Sequence, residues 1–140
     1  MDKPTSTYER PLDTSLEMAV LAHLLQAERS KAADLFDTVA ALLQASVPAQ
    51  TTVTVGGWPW SKKRPVTAIT VDFSDEVFEL SLGKSGAVSI KQRKIVRGIT
   101  LKSTDISMEK CLTAIVAKLA ALEKDSEATR AAMEKLVFGR

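Results

Sequence analysis

The chain contains few of the residues that catalysis and metal binding usually require. Its 140 residues include one cysteine, Cys111, and one histidine, His23, and only 5% of them are aromatic. A single cysteine excludes an internal disulfide framework and is typical of a cytoplasmic protein. One histidine and one distant cysteine do not form a cluster of transition-metal ligands, so a zinc-type site is not expected.

Long hydrophobic runs are also absent. The longest mainly apolar run, residues 16–25, contains Glu17 and His23 and is too short to cross a bilayer. The first residues, Met1–Pro4, lack the apolar core of a signal peptide. The apolar fraction of 45% and charged fraction of 26% are ordinary for a globular domain. We therefore expect a cytoplasmic protein without a transmembrane segment.

No arrangement of side chains predicts an active site. His23 stands among apolar residues, which favours a place at a helix interface over a role as ligand or base. Cys111 is expected to be buried rather than reactive. Acidic residues cluster around a predicted hairpin, where they are typical of turns and solvent-exposed faces; these are Asp72, Asp75, Glu76 and Glu79. The sequence predicts no catalytic residue, no cofactor, no metal and no enzyme.

Two helical segments bracket the chain. Residues 14 to about 46 carry apolar side chains at spacings of three and four, namely Met18, Leu21, Leu25, Ala32, Leu35, Val39 and Leu42. Pro48 ends this helix. A second helix is predicted to begin at the N-cap Ser107, with a seam at Leu112, Ile115, Leu119, Leu122, Met133 and Leu136. Residues 1–13 are predicted to be a flexible arm preceding one domain over 14–140.

The middle of the chain has the alternation of strands. Short strands are predicted at 51–55, 66–73 and 76–82, followed by one extended segment over 87–102. Its side chains expected to face the core are Val88, Ile90, Ile95, Ile99 and Leu101, and the change of parity predicts a bulge within 91–94. The fold class is therefore α+β: an antiparallel meander of about four strands flanked by long N- and C-terminal helices.

Helix length predicts either a break or an oligomer. Unbroken helices of about 33 and 30 residues would be roughly 50 and 45 Å long. A compact chain of this size is about 35–40 Å across. Either the first helix breaks near 28–31, or the helices protrude and bury their seams against a second copy. We expect a homodimer or larger assembly.

Charge is segregated along the chain. Residues 56–102 contain nine Lys and Arg against four Asp and Glu, whereas the whole chain has a net charge of only +2. The basic middle either attracts a polyanion or is a solvated outer face of the sheet.

The loop over residues 56–65 contains both tryptophans and three consecutive cations. Such a loop can place rings beside bases, lie at lipid headgroups, bind a protein or cap the edge of the sheet. We expect the cations to be exposed and the two tryptophans to divide between packing and solvent. Candidate residues for binding a partner or polyanion are Trp58, Trp60, Lys62, Lys63, Arg64, Arg93, Lys94 and Arg97.

A short element resembles known proteins. It comprises residues 95–102, Ile-Val-Arg-Gly-Ile-Thr-Leu-Lys, and is followed by a capped amphipathic helix. This element resembles a group of small bacterial proteins with no assigned function, and the similarity extends over residues 50–137. It implies no activity. In element order the chain is also similar to the small dimeric nucleoid-associated proteins of the YbaB type, with no functional residues to carry over.

Two functions follow as expectations. The first is a non-catalytic cytoplasmic adaptor or assembly protein, in which helical seams make the oligomer while the loop and basic sheet meet a protein partner. The alternative is a nucleic-acid-binding protein that uses the basic sheet and the 56–65 loop. Basic residues gathered on one face would favour the second, and dispersed ones the first.

Overall fold

The structure, a computed structural model, describes residues 5–57, 60, 64–83 and 85–139. Its elements in chain order are α1 (Thr5–Ser30), α2 (Ala32–Ser46), a short 3₁₀ turn (Pro48–Gln50), β1 (Thr51–Val55), β2 (Val66–Asp72), β3 (Glu76–Leu82), β4 (Val88–Val96), β5 (Ile99–Asp105), α3 (Met108–Glu123) and α4 (Glu127–Phe138). The α+β class and the antiparallel meander are confirmed, with five strands instead of about four. Among the described residues, no helix is both long and apolar enough to cross a membrane.

Both predicted long helices are broken. Lys31 has an extended backbone, with φ −145° and ψ 138°, and its carbonyl accepts the N–H of Leu35 at 3.0 Å to start α2. Near the C-terminus, the Ser126 hydroxyl accepts the N–H of Thr129 at 3.2 Å and caps α4. Each break lets the chain fold back on itself, so the alternative of a hinge near 28–31 is the correct one.

The breaks shorten the helices, so helix length no longer predicts an oligomer built on helical seams. Leu35 is 1% exposed and Leu119 is 0% exposed within a single chain. The four helices pack against one another, and α2 and α3 also contact the sheet. The prediction that these seams are buried against a second copy is therefore wrong, because they already form the interior of one copy.

The N-terminal boundary differs from the predicted one. Helix α1 begins at Thr5, within the segment predicted as an arm, and its backbone has no break at residue 13. The mobility of residues 1–13 stays a prediction, and residues 1–4 lie outside the described residues.

The start of α3 follows its sequence signals. The hydroxyl of Ser107 accepts the N–H of Lys110 at 3.2 Å, which confirms the predicted N-cap. Ile106 and Cys111, on either side of the cap, both contribute to the core, as a hydrophobic staple requires.

One face of the sheet is covered by helices. The strand register aligns Ile69 with Leu80 and Val71 with Phe78, and then Leu80 with Ile90. All five side chains are buried beneath α2 and α3. Each contributes roughly 1.5–3 kcal/mol through removal of apolar surface from water. The opposite face is mainly polar, although Val77 on that face is buried. One row across all five strands consists of Thr52, Thr70, Glu79, Lys91 and Asp105.

The predicted extended segment 87–102 is a hairpin. Arg97 and Gly98 both have positive φ, at 53° and 79°, and form a two-residue turn between β4 and β5. The bulge predicted within 91–94 is wrong: β4 pairs without interruption over residues 91–96, and the extra residue of the bulge is Leu101 on β5. Ile95 therefore lies on the face opposite to the buried Ile90. The single long strand is therefore a wrong prediction, since the turn reverses the chain at residue 97.

Candidate interaction surface on the β4–β5 hairpin

The predicted recognition loop is described in part. Trp60 is 79% exposed and Arg64 is exposed, as expected for that cation. The Nε–H of Arg64 donates to the carbonyl oxygen of Gly56 at 3.3 Å, which holds the side chain beside the loop backbone. The candidates Trp58, Lys62 and Lys63 lie outside the described residues.

The candidate cations of β4 point to opposite faces. Arg93 lies on the polar outer face, where its guanidinium is 2.9 Å from the carboxylate of Glu79. Lys91 is on the same face, 3.6 Å from Asp105. Lys94 is on the other face, as strand alternation requires. The outer-face cations thus have acidic neighbours, which lowers the attraction of this face for a polyanion.

Arg97 is far from Arg64, the described cation of the 56–65 loop. Arg64 leads into β2 and Arg97 follows β4, so two strand spacings, or about 10 Å, separate them across the sheet. The two residues also lie at opposite ends of the strands, which are about 23 Å long at seven residues each. The described candidate cations are therefore dispersed over both faces and both ends of the sheet.

The acidic cluster predicted around the β2–β3 turn does not converge. Lys118 Nζ lies 2.8 Å from both carboxylate oxygens of Asp75 and 3.4 Å from Glu76. The hydrogen bond from Lys118 lowers the pKa of Asp75, and the same bond raises the pKa of Lys118. Asp72 accepts the N–H of Ser74 at 2.7 Å, and Glu79 pairs with Arg93. No group of three potential metal ligands occurs among the described residues.

His23 is exposed on α1, which corrects the expectation of a histidine at a helix interface. Its Nδ1 lies 3.2 Å from the carbonyl oxygen of Ala19, one turn earlier on the same helix. The reason is that the buried stripe of α1 runs through Leu16, Val20 and Leu24, and residue 23 falls beside that stripe.

Cys111 is fully buried, and burial raises the pKa of its thiol to about 12. Because the thiolate is the reactive form, we expect the native protein to react with an aromatic disulfide reagent at pH 8 at least roughly a hundredfold more slowly than the urea-unfolded chain. Absorbance of the released thiol measures both rates. Equal rates in the two states would contradict the burial of Cys111.

A groove of about 400 Å³ lies between α2 and α4. Small and aliphatic side chains form most of its lining: Ala41, Leu42, Ala45, Ala132 and Leu136. Asp37, Thr38 and Lys135 add the polar groups. This lining lacks a nucleophile paired with a base, so the groove does not supply a catalytic set.

Exposed aliphatic side chains gather at the β4–β5 hairpin. Val96 is 49% exposed, Ile99 65% and Leu101 66%. Val96 and Ile99 face each other across the turn. We call these three residues the hairpin patch. The expectation that Ile99 and Leu101 face the core is wrong, and Val88, at the other end of β4, is also exposed.

The hairpin patch is exposed because the helical layer ends before it. Along one face of β4, Ile90 is buried, Gln92 is half-buried, and Lys94 and Val96 are exposed. Strand β5 lies at the edge of the sheet, and Thr104 is its most covered residue at half-buried. Aliphatic side chains on an uncovered hairpin are typical of an interaction surface.

Positive charge borders the hairpin patch. Lys94 and Lys102 are directly opposite each other in the β4–β5 register, on the face that carries Val96 and Ile99. Like charges in that position repel. Arg97 adds a third cation at the tip of the turn. The nearest acid across the strands from Lys94 is Glu76, which Gln92 and Lys118 already contact.

Comparison of the chain with protein-family models, with curated proteins and with solved structures found no match in any of the three. Function is therefore inferred from the geometry of the described residues.

Proposed function

We propose that this protein is a non-catalytic adaptor that binds a protein partner through the hairpin patch. The observation that supports this proposal is the exposure of Val96, Ile99 and Leu101 together on one hairpin. A cytoplasmic location is part of the proposal, since a free thiol such as that of Cys111 stays reduced there.

The charge around the patch defines the chemistry of the partner. Lys94 and Lys102 repel each other across the strands, and Arg97 adds to the positive potential. A partner segment with an apolar centre and an acidic rim would bury the aliphatic side chains and bring carboxylates to these cations. An apolar core surrounded by charged groups is the usual anatomy of a protein interface.

Nucleic-acid binding is supported less well by the same residues. Recognition of single strands uses aromatic rings for stacking, and the hairpin patch is aliphatic. Duplex binding requires several cations on one surface, whereas Arg93 pairs with Glu79 on the opposite face from Lys94. Arg64 lies at the far end of the sheet. The loop at 56–65 remains the best candidate for any contact with a polyanion.

Substitution of the patch tests the adaptor proposal. We expect Ile99→Lys to weaken binding of a captured and purified partner by roughly tenfold to a hundredfold, because a charge replaces a buried contact of about 1–3 kcal/mol. Titration calorimetry on the purified pair measures the affinity. Val88→Lys is the matched control, since Val88 is an exposed aliphatic residue at the other end of β4 and should leave the affinity unchanged.

Two results would contradict the proposal. One is equal affinity for wild type and Ile99→Lys. The other is capture that disappears after nuclease treatment while labelled DNA binds the protein at about 50 mM salt and is released as salt rises. The second result would favour the nucleic-acid alternative.

A further inference from the structure

The two edges of the sheet differ in how they are protected from pairing with another strand. Strand β5 carries Lys102 and Asp105. Charged side chains of this kind keep an edge strand from joining a second sheet. The ladders of both edge strands contain a bulge, so bulges do not distinguish the two edges. Strand β1, Thr-Thr-Val-Thr-Val over residues 51–55, has no charge and no proline. Only the β1 edge is therefore chemically suited to pair with another strand.

The backbone groups of β1 that face the free edge can be assigned. The N–H of Gly56 donates to the carbonyl oxygen of Pro65 at 2.9 Å, and the Thr67 hydroxyl donates to the carbonyl oxygen of Thr54 at 3.3 Å. Residues 54 and 56 thus face β2. Because backbone direction alternates along a strand, Thr51, Val53 and Val55 present their N–H and C=O groups to the free edge.

This edge is complementary to itself. When two copies of β1 run antiparallel about a twofold axis at Val53, that residue faces its own copy and Thr51 faces the copy of Val55. These are the three positions whose backbone groups point outward, so all of them can form the ladder. On the outer face, Thr52 meets the copy of Thr54, and cross-strand threonine pairs of this kind are favourable. No charged pair arises within the five-residue register.

We propose that a second copy of this chain docks on the β1 edge and extends the two five-stranded sheets into one of ten strands. A twofold arrangement uses both β1 edges, and the protected β5 edges then end the sheet, so assembly stops at the dimer. This inference goes beyond the proposed function and is independent of the hairpin patch.

Charge placed on the β1 edge tests the inference. In Thr52→Lys/Thr54→Lys, lysines of the two copies face each other directly, and both positions are exposed in the single chain. We expect the wild type to sediment at twice 15.2 kDa at micromolar concentration. The double variant should keep its circular dichroism spectrum and raise the dimer dissociation constant at least tenfold. The matched control is Thr100→Lys/Ser103→Lys, which puts the same charges on exposed positions of β5 and should remain dimeric.

Cysteine cross-linking tests the register. A mixture of Thr52→Cys and Thr54→Cys proteins should form a disulfide-linked dimer under mild oxidation much faster than either variant alone, because these positions face each other across the axis. A wild type that is monomeric at 100 µM overturns this inference and the expected homodimer, and leaves the adaptor proposal untouched. A dimer unaffected by the β1 lysines, or dissociated by the β5 lysines instead, overturns the β1 edge alone.

Discussion

Replacing Leu119 with glutamate is expected to remove a large part of the chain's free energy of unfolding. Leu119 is 0% exposed and packs in the core with Leu112 and Ile115 of the same helix. The substitution removes an apolar side chain and buries a carboxylate without a partner, which costs roughly 4 kcal/mol or more. A domain of this size has only about 5–15 kcal/mol of stability. Urea denaturation followed by circular dichroism measures the loss.

Leu122→Glu is the matched control on the same helix. Leu122 belongs to the same sequence seam but is 40% exposed, so its substitution should cost less than about 1 kcal/mol. Comparing the two variants shows whether the apolar seam of α3 is buried within one chain or between two copies. A Leu119→Glu protein that stays folded and becomes monomeric would show that the seam is buried between copies, contrary to the packing of α3 within one chain.

The helical part of the fold could be predicted because its signal is local. Leu35, Val39 and Leu119 fall on the predicted seams and are buried. The predicted seam is wrong in α1, where Met18 is 59% exposed and the buried stripe is Leu16, Val20 and Leu24. The break at Lys31 has no glycine or proline signal, since the residues around it include neither. Only the length of the predicted helix indicated a break there. It arises because α1 packs back on α2, a tertiary cause that spacing does not record. The second break does carry a local signal, because Ser126 is a good N-cap residue.

In the sheet, the alternation of side chains along a strand predicts burial only in part. Ile90 and Val96 lie on the same face of β4, yet one is buried and the other is half exposed. Alternation predicts which face a side chain takes, but it does not tell how far the helices extend over that face. The exposed hairpin could not be recognised from apolar residues alone, because a buried strand has the same pattern.

The length of the predicted strand over 87–102 indicated that the chain must turn within it. Sixteen residues of continuous strand over 87–102 would be about 53 Å long, which exceeds the expected width of the domain. That mismatch required a reversal somewhere in the segment. The turn itself was hard to place, because two-residue turns with positive φ usually contain Asn-Gly or Asp-Gly, and here the pair is Arg97-Gly98.

Strand parity predicted part of the candidate site. It placed Arg93 and Lys94 on opposite faces, as observed. The ion pairs of Arg93 with Glu79 and of Lys91 with Asp105 could not be predicted, because they depend on the register between strands. For the same reason, the facing pair Lys94 and Lys102 became visible only in the folded sheet.

Phe78→Ala is expected to cost about 3–5 kcal/mol of unfolding free energy. Phe78 is 0% exposed at the centre of the sheet, and its ring meets Phe73 edge to face at 6.2 Å between centroids. Truncation removes this contact and leaves a cavity beneath α2 and α3 that the packed neighbours fill only in part. Urea denaturation with an unchanged m-value would show that stability, and not the unfolded state, has changed.

Leu101→Ala provides the contrast that tests the hairpin patch. Leu101 is also a large apolar residue of the sheet, but it is 66% exposed, so its truncation should cost less than about 1 kcal/mol. The expected difference between the two variants is therefore at least about 2 kcal/mol. If Leu101→Ala destabilised the purified protein as strongly as Phe78→Ala, Leu101 would already be covered in the native assembly. The hairpin patch would then be a buried contact of the protein with itself, and could not bind a separate partner.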